Sequence, residues 1–264
     1  YDRDQSKFTP LARSWSKIDY QDLNQMIAYD FNNRDGVPIQ AFLTQAKNKS
    51  NKKTIIYPHG GPWARDYWGF EPTVQFLAEN NFNVIQMNIR GSSGYGYEFG
   101  AEVFGNFEEV LEDIYDGIEF FDAEGLIDKN NLCIYGISYG GYAATMAPIN
   151  RPDLFKCAAS DAGLYDMEAQ YKRGDIRRSR GGKVFLDRAF KGKDGTLDPS
   201  QSPINRVSEM RVPFFLLHGK KDIRTPYKDA ELFMQEMDRN NISYEKMIIT
   251  KEEHGFSNEE NREA

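Results

Sequence analysis

The sequence lacks two features that would assign it to large classes of protein. No apolar run approaches the roughly 20 residues that a transmembrane helix needs. Basic residues are outnumbered by acidic ones, 33 to 40, and the net charge of −7 repels nucleic-acid phosphates and anionic membrane surfaces. We therefore expect no nucleic acid and no membrane as partners, and a soluble protein whose compartment, cytoplasm or periplasm, stays open.

Cysteine and histidine are also scarce, with two and three residues respectively. Cys133 and Cys157 each lie in an apolar, strand-like stretch, NLCIYG and FKCAAS, where a free thiol behaves as a small hydrophobic side chain. We predict that both are structural thiols without a disulfide or metal role. Because no cluster has the spacing of zinc ligands, we expect no metal and no cofactor.

The order of apolar segments predicts the fold class. Alternating side chains in MIAYDF and PIQAFLT, around the turn residues Asp35 and Gly36, predict a hairpin over residues 26–44. Downstream, strand-like and helix-like segments take turns, which indicates a mostly parallel sheet. The further strands are TIIYPHGG, NVIQMNIRGSSG, LCIYG, KCAASD, FFLLHG and SYEKMIIT. We predict an α/β fold whose eight-stranded, mostly parallel sheet carries helices on both faces.

The longest predicted helix covers residues 106–125, where apolar side chains recur at steps of three and four. Asn106 and Glu109 are predicted to form its capping pair. We interpret the acidic face as solvated rather than as a cation site; it comprises Glu108, Glu109, Glu112, Asp113, Asp116 and Glu119.

In three segments the apolar side chains have no clear helix or strand periodicity. The first 25 residues are predicted to be an extended leading segment, and residues 47–53 a polar loop. Residues 165–203 are rich in arginine and glycine. We interpret this stretch as a cap over the sheet edge, with the binding of anionic substrate groups as the alternative.

The stretch IYGISYGGY at residues 134–142 contains the pattern G-x-S-x-G directly after a predicted strand. On a sharp strand-to-helix turn the serine backbone is strained and crowded, so Gly136 and Gly140 would remove the clash. The pattern alone arises by chance in roughly one chain in ten of this length. Its chemistry therefore depends on partners elsewhere in the chain.

A serine hydroxyl needs a base within hydrogen-bond reach and a third group that orients the base. In a hydrolase sheet the order is serine, acid, histidine, which excludes His59 because it precedes Ser138. His218 ends a strand four residues before Asp222 and cannot easily follow that acid. This leaves His254 as the base and Asp222 as the acid, each in a loop after a strand, where catalytic groups of such sheets converge.

The motif IIYPHGGPW runs from a strand into glycines whose N–H groups can point at a developing oxyanion. We predict Gly61 as the first donor, with Gly60 as the alternative, and the N–H of Tyr139 as the second donor. His59 and His218 are interpreted as hydrogen-bonded structural histidines.

Another glycine-rich stretch, RGSSGYGYEFG, could suggest phosphate binding. Its third glycine comes one place late for G-x-G-x-x-G, and no lysine makes it a P-loop. We interpret it as a structural turn near the site, held by Tyr95, Tyr97 and Phe99.

Together these motifs resemble the prolyl oligopeptidase family of serine peptidases, most of all its acylaminoacyl-peptidase and dipeptidyl-peptidase-like branch. The resemblance rests on HGGPWARDYWGF, NIRGSSGYGYEFG, YGISYGGYAA, LLHGKKDIRTP and EEHGF, in this order. It implies an α/β-hydrolase catalytic domain over residues 26–264, with Ser138 as nucleophile, Asp222 as acid and His254 as base. Gly61 and Tyr139 would form the oxyanion hole.

In full-length members of the family, a β-propeller limits substrates to short peptides. The resemblance therefore implies that residues 1–25 are a linker from such a propeller and that a closing C-terminal helix after His254 is missing or disordered. We expect a serine peptidase that hydrolyses short peptides through an acyl-enzyme. A carboxylesterase on the same triad and a non-catalytic binding module are the alternatives, and association with further copies of the chain stays open.

Overall fold

The computed structural model of the chain describes residues 3–7, 18–48, 52–256, 258 and 261. Within these residues, eight strands form one sheet in the order β1-β2-β4-β3-β5-β6-β7-β8. The strands are β1 (Met26–Asn32), β2 (Pro38–Thr44), β3 (Thr54–Ile56), β4 (Asn83–Asn88), β5 (Leu132–Ile137), β6 (Cys157–Asp161), β7 (Phe214–Gly219) and β8 (Tyr244–Ile249). The eight predicted strands are confirmed.

The sheet is antiparallel at one edge and parallel elsewhere. β1 and β2 form the predicted hairpin, in a register that pairs Met26 with Thr44, and β2 pairs antiparallel with β4. All pairs from β4 to β8 are parallel. The carboxyl ends of β5, β6, β7 and β8 therefore meet at one edge, which is where loops of such sheets bring functional groups together.

The described residues include seven α-helices and four short 3-10 helices. The α-helices are α1 (Pro72–Glu79), α2 (Tyr97–Ala101), α3 (Glu112–Ala123), α4 (Tyr139–Asn150), α5 (Met167–Lys172), α6 (Arg180–Phe190) and α7 (Tyr227–Arg239). The 3-10 helices are Glu109–Leu111, Ile176–Arg178, Pro199–Gln201 and Pro203–Glu209. None of these helices is both long and apolar enough to cross a bilayer.

Helices cover both faces of the sheet, as predicted. Side chains alternate across a strand, so Leu43 and Ile85 join a large core whereas their neighbours Phe42 and Val84 join a smaller one. α1 closes the smaller core through Val74. The large core contains the apolar sides of α3, α4, α6 and α7.

The predicted helix at residues 106–125 is shorter than expected, and its acidic face is not fully solvated. Asn106 does donate a side-chain hydrogen bond to Glu109, but α3 begins only after the 3-10 turn that contains Glu109. Asp113 is fully buried, where it accepts from the backbone N–H of Arg90 at 2.8 Å and pairs with the guanidinium of Arg90. The prediction of a solvated face was wrong at this position, because the end of β4 places an arginine beneath the helix.

The prediction of free thiols was also wrong, since Cys133 and Cys157 form a disulfide. The two residues are direct partners in the register of β5 and β6, with their Cα atoms 4.8 Å apart. This distance suits a disulfide bond. Local sequence patterns could not show the pairing, because it depends on which strands become neighbours and in which register.

Residues 165–203 form a helical cover. α5 and α6 are each capped by a side chain, with Asp166 accepting from the N–H of Ala169 and Ser179 from that of Gly182. α6 inserts Leu186 into the large core. This packing agrees with the interpretation of the segment as a cap.

Parts of several predicted segments lie outside the described residues. They are residues 1–2 and 8–17 of the leading segment, residues 49–51 of the polar loop, and, in the C-terminal part of the catalytic domain, residues 257, 259–260 and 262–264.

Candidate active site

Ser138 occupies a strained turn between β5 and α4. Its backbone angles are φ 61° and ψ −117°, in the region that side chains rarely adopt, and its N–H donates to the carbonyl of Asp161 at 2.9 Å. A methyl group added at Gly136 would lie 2.3 Å from the carbonyl oxygen of Gly140, and one at Gly140 would lie 2.2 Å from that of Pro58. Close packing on both sides therefore holds the serine in its unusual conformation.

The glycine loop of IIYPHGGPW lies directly against this turn. A methyl group added at Gly60 would lie 3.6 Å from Ser138 Cβ. Gly61 has φ 124°, and a methyl group there would lie 2.8 Å from the backbone nitrogens of Trp63 and Ala64. On the other side of the serine, Tyr139 begins α4, so its N–H has no carbonyl partner within the helix. The glycine loop and the N-terminus of α4 thus both lie beside Ser138.

His59 supports the glycine loop from behind. It is 9% exposed, and its Nε2 lies 2.8 Å from the hydroxyl of Ser92 while its Nδ1 lies 2.7 Å from the carbonyl of Gly60. Burial lowers the pKa of this imidazole, which favours the neutral form. These contacts agree with a structural role.

The stretch RGSSGYGYEFG forms a turn beside the same loop and then enters α2. The hydroxyl of Tyr95 donates to Gln40 at 2.7 Å and accepts from Asn88 at 2.8 Å, and its ring packs on Phe99. Tyr97 is 74% exposed, and its hydroxyl accepts from Arg188 of α6 at 2.5 Å, so it contacts the helical cover rather than packing inside the turn. The side-chain network agrees with a structural turn and not with a phosphate cradle.

Asp222 and His254 meet at the carboxyl edge of the sheet. Asp222 lies in the loop after β7 and His254 in the loop after β8, and the Nδ1 of His254 is 2.8 Å from Asp222 Oδ2. The Asp222 side chain is fully buried, whereas that of His254 is 30% exposed. The predicted acid and the predicted base are therefore in contact.

Polar contacts keep Asp222 ionised in spite of its burial. The backbone N–H groups of Arg224 and Thr225 donate to Oδ1 at 2.8 and 3.0 Å. Burial works against the charge, but the hydrogen bond and charge of His254, with smaller contributions from His218 and Thr225, leave the pKa of Asp222 below its ordinary value. An ionised carboxylate only accepts, so His254 donates to Asp222 from Nδ1.

His218 lies behind the acid. Its side chain is fully buried, with Nε2 2.8 Å from the carbonyl of Thr225 and 3.5 Å from Asp222 Oδ2. Burial lowers the pKa of this imidazole. Its contacts, like those of His59, fit a structural histidine.

Sequence reasoning missed two residues of this cluster. The hydroxyl of Thr225 lies 2.9 Å from Asp222 Oδ2, 2.8 Å from the carbonyl of Ala162 and 3.3 Å from His254 Nδ1. Asp161, which ends β6, is buried at 3% exposure in range of the charges of both Asp222 and His254. The threonine three residues after Asp222, and a carboxylate at the end of an apolar strand, were the signals that could have identified them.

Aromatic side chains connect the serine turn to the helical cover. The ring of Tyr139 packs edge to face on Phe107, with centroids 5.1 Å apart, and Phe107 contacts Trp63. Trp63 in turn packs on Phe185 of α6 at 4.9 Å. Phe185 is 37% exposed, so an apolar wall is accessible between the glycine loop and the cover.

Within the described part of the chain, no group of three or more histidine, cysteine or acidic residues is arranged to hold a metal ion.

Comparisons with known proteins identify relatives along most of the chain. Residues 68–264 match the model of the prolyl oligopeptidase family. The chain is 27% identical over 290 residues to dipeptidyl aminopeptidase BIII of Pseudoxanthomonas mexicana, which covers 100% of this chain and 40% of that enzyme. It is also 27% identical over 209 residues to acylamino-acid-releasing enzyme 2 of Oryza sativa subsp. japonica, covering 76% of this chain and 27% of the enzyme.

A solved structure gives the same result. The acylaminoacyl peptidase of Pyrococcus horikoshii superposes with a TM-score of 0.80 at 25% identity, over 91% of this chain and 39% of its own. The chain thus spans well under half the length of these relatives. With an α/β fold of this topology and a family match over residues 68–264, the chain belongs to the prolyl oligopeptidase family.

Proposed function

We propose that the chain is a serine peptidase that hydrolyses short peptides through an acyl-enzyme. The observation that carries this proposal is the contact between the buried, ionised Asp222 and His254, at the sheet edge where Ser138 occupies its strained turn. A neutral imidazole that donates to a carboxylate from Nδ1 is oriented to accept a proton at Nε2.

In the proposed mechanism, Ser138 attacks the substrate carbonyl while His254 takes the hydroxyl proton. The leaving amine receives that proton from His254 as the tetrahedral intermediate collapses to the acyl-enzyme. Water then attacks the ester by the same steps, again with His254 as base and acid. Asp222 holds the imidazole tautomer and stabilises the imidazolium that forms in each step.

The oxyanion of each tetrahedral intermediate would be stabilised by the N–H groups of Gly61 and Tyr139. The N-terminal position of Tyr139 in α4 supports the second assignment, because the first N–H groups of a helix lack internal partners. The close approach of Gly60 to Ser138 supports the glycine loop as the source of the first donor and keeps Gly60 as an alternative to Gly61.

Peptides are favoured as substrates because the relatives named above are a dipeptidyl aminopeptidase, an acylamino-acid-releasing enzyme and an acylaminoacyl peptidase. The accessible rings of Trp63 and Phe185 offer an apolar surface for a substrate side chain. That residues 1–25 are a linker from a propeller in the full-length protein, and that this propeller restricts substrate length, belongs to the same proposal, since the chain spans 40% of the Pseudoxanthomonas enzyme.

The test compares an amide and an ester that share the same acyl group, for example a dipeptide anilide and the matching ester. A peptidase is expected to turn over both, with both activities lost in Ser138→Ala. Hydrolysis of the ester alone would identify a carboxylesterase on the same triad. Hydrolysis of neither, by a folded protein, would favour a binding module and contradict the proposal.

A further inference from the structure

Three arginines around the start of α6 have no acidic partner. Arg177, Arg178 and Arg180, here called the arginine cluster, lie within residues 176–186, a stretch with four basic residues and no acidic one. Among the described residues, their guanidinium groups form no ion pair and no hydrogen bond. The Nε atom of Arg177 is also buried. A buried donor without a partner calls for an explanation.

The acidic side chains on either side of this stretch already have other partners. Asp175 accepts from Arg224 at 2.8 and 3.1 Å, and Asp187 pairs with Lys191 at 2.6 Å. The positive charge of the arginine cluster therefore stays uncompensated, in a chain whose net charge is −7.

The cluster also opposes the electrostatics of the helix that it precedes. α6 begins at Arg180 after its N-cap Ser179, and its first turn contains no acidic residue. Because the N-terminus of an α-helix carries a partial positive charge, cations are unfavourable there and anions are favourable. The arginines are thus repelled by the helix end and by one another. Departures of this kind from local rules are expected at functional sites, and a bound anion would compensate this one.

Backbone contacts fix the arginine cluster beside the loop after β7. The N–H of Asp175 donates to the carbonyl of Ile223, the residue that follows Asp222, at 2.9 Å. A methyl group added at Gly182 would lie 1.7 Å from the carbonyl oxygen of Ile176, so the start of α6 packs closely on the turn before it. Ile223 is 51% exposed. The cluster therefore borders the candidate active site on a side that a ligand can reach.

The strand order gives the distance from this side of the site to the serine. β5, β6 and β7 are neighbours in the sheet, and strands lie about 4.8 Å apart, so the ends of β5 and β7 are separated by about 10 Å. Ser138 directly follows β5, and Ile223 lies in the loop after β7. An extended peptide covers this distance with about three residues. A short peptide can therefore reach from Ser138 to the arginine cluster.

We propose that the arginine cluster binds a carboxylate group of the peptide substrate, either its C-terminal carboxylate or an acidic side chain. The inference rests on the proposed function, because the ligand is the peptide that Ser138 would cleave. A guanidinium suits this ligand, since its N–H groups can donate in parallel to both oxygens of a carboxylate. Arg177 is half-buried whereas Arg178 and Arg180 are exposed, so Arg177 is the best-fixed donor of the three.

The first experiment compares kcat/KM within two pairs of short peptides, each pair differing in one charge. One pair ends in a free carboxylate or in a carboxamide, and the other carries glutamate or glutamine about three residues from the cleaved bond. We expect the charged member of at least one pair to be preferred about tenfold, the effect of one charge-assisted hydrogen-bonded contact. The pair that shows the preference identifies the source of the carboxylate. The preference should shrink at high NaCl concentration, because salt screens exposed charges.

Substitutions assign the preference to the arginine cluster. Arg177→Gln should remove most of it, leaving a ratio of about two or less between the two peptides. Arg211→Gln is the matched control, because it removes the same charge just before β7, at the opposite edge of the sheet, and should leave the ratio unchanged. If Arg177→Gln does not fold, as judged by circular dichroism, the double variant Arg178→Gln/Arg180→Gln at exposed positions takes its place. An unchanged ratio in a folded cluster variant would refute the site.

A binding measurement separates this inference from the proposed function. Calorimetry on Ser138→Ala, with and without Arg177→Gln, compares tri-alanine with its amide, and acetyl-alanyl-glutamyl-alanine amide with its glutamine counterpart. If no peptide is hydrolysed by the wild type but a carboxylate peptide binds more tightly and loses this advantage in Arg177→Gln, the carboxylate site stands and the proposed function fails. If peptides are hydrolysed but neither kcat/KM nor binding distinguishes the members of a pair, the carboxylate site is refuted and the proposed function stands.

Discussion

The serine turn and the acid–base pair lie at the same edge of the sheet but are held in place by different forces. Around Ser138, glycines at 136 and 140 bring backbone atoms so close that no side chain would fit. His254 is 30% exposed and is held by its hydrogen bond to the buried Asp222. Packing thus determines the position of Ser138, whereas polar contacts determine that of His254.

This difference predicts which substitutions should lower the stability of the fold and which should lower only the activity. A change in the packed turn should destabilise the fold as well as the site, because close-packed backbone cannot yield. A change in the polar cluster of Asp222, Thr225 and His254 should mainly alter activity. The partly exposed side chain of His254 loses little burial when it is replaced.

We expect the largest effect on kcat, and we expect it to be equal for substitutions in the two regions, although different forces hold them in place. Ser138→Ala and His254→Ala should each lower kcat about 10⁵-fold or more, and the double variant should be little worse, because triad members act as a unit. Single-turnover and steady-state assays on one activated ester would measure this. Additive losses in the double variant would contradict a shared mechanism.

Substitutions in the packed serine turn should lower the free energy of unfolding. Gly140→Ala places a methyl group 2.2 Å from the carbonyl oxygen of Pro58, so we expect a loss of about 3 kcal/mol or more in the free energy of unfolding. Gly181→Ala in α6 is the matched control, because a methyl group there meets nothing within 4 Å. It should be neutral or stabilise by about 0.5–1 kcal/mol. Equal urea midpoints for the two variants would argue against the tight turn.

Substitutions in the polar cluster should lower kcat/KM. Thr225→Val removes the hydroxyl next to Asp222 and His254, and we expect kcat/KM to fall about tenfold, the loss of one hydrogen bond to a charged group. Thr145→Val makes the same chemical change within α4, where the hydroxyl donates to the carbonyl of Gly141. Both variants should lose comparable stability, and only the first should lose most of its activity. A comparable loss of activity in Thr145→Val would contradict a specific contribution of the Thr225 hydroxyl to activity.

The smallest effect concerns how the two regions respond to pH. Three residues after the glycine loop, burial raises the pKa of Asp66 to about 7 from an ordinary value of 3.8. Between about pH 4 and 7 the folded chain holds a proton that the unfolded chain has released, so this group makes the free energy of unfolding fall as pH rises. Asp66→Asn should therefore gain stability relative to the wild type across this window and keep a constant difference above it.

The contribution of Asp222 to the free energy of unfolding should change with pH in the opposite direction. Its pKa is lowered in the folded chain, so its ionised form contributes stability above its ordinary value, and that contribution is lost as pH falls through the folded value. Asp222→Asn should therefore differ most from the wild type at neutral pH and least in acid. Chemical unfolding at several pH values measures both variants, and parallel curves for all three proteins would refute the assigned charges.

Much of this architecture could be predicted from local patterns. The alternation of MIAYDF and PIQAFLT identified the hairpin, and the strand-helix order identified the parallel sheet. The order of Ser138, Asp222 and His254 selected a pair of residues that the fold brings to 2.8 Å. These features depend on periodicity and chain order, which a single sequence carries.

The features that were missed depend on contacts between distant segments. The Cys133–Cys157 disulfide requires the register of β5 and β6, and the burial of Asp113 requires Arg90 at the end of β4. Asp161 resembles any acidic residue at the end of a strand until the charges of Asp222 and His254 are known to act on it. Such electrostatic relations arise only when three loops converge.

The central claim, that Ser138 is an activated nucleophile, can be tested by labelling with a fluorophosphonate probe and mapping the modified peptide by mass spectrometry. A serine reacts quickly with such a probe only when a base and an oxyanion hole assist it. We predict a single adduct on Ser138, absent in Ser138→Ala and formed much more slowly in His254→Ala. An adduct on another residue, with Ser138 unmodified in the folded protein, would contradict the account.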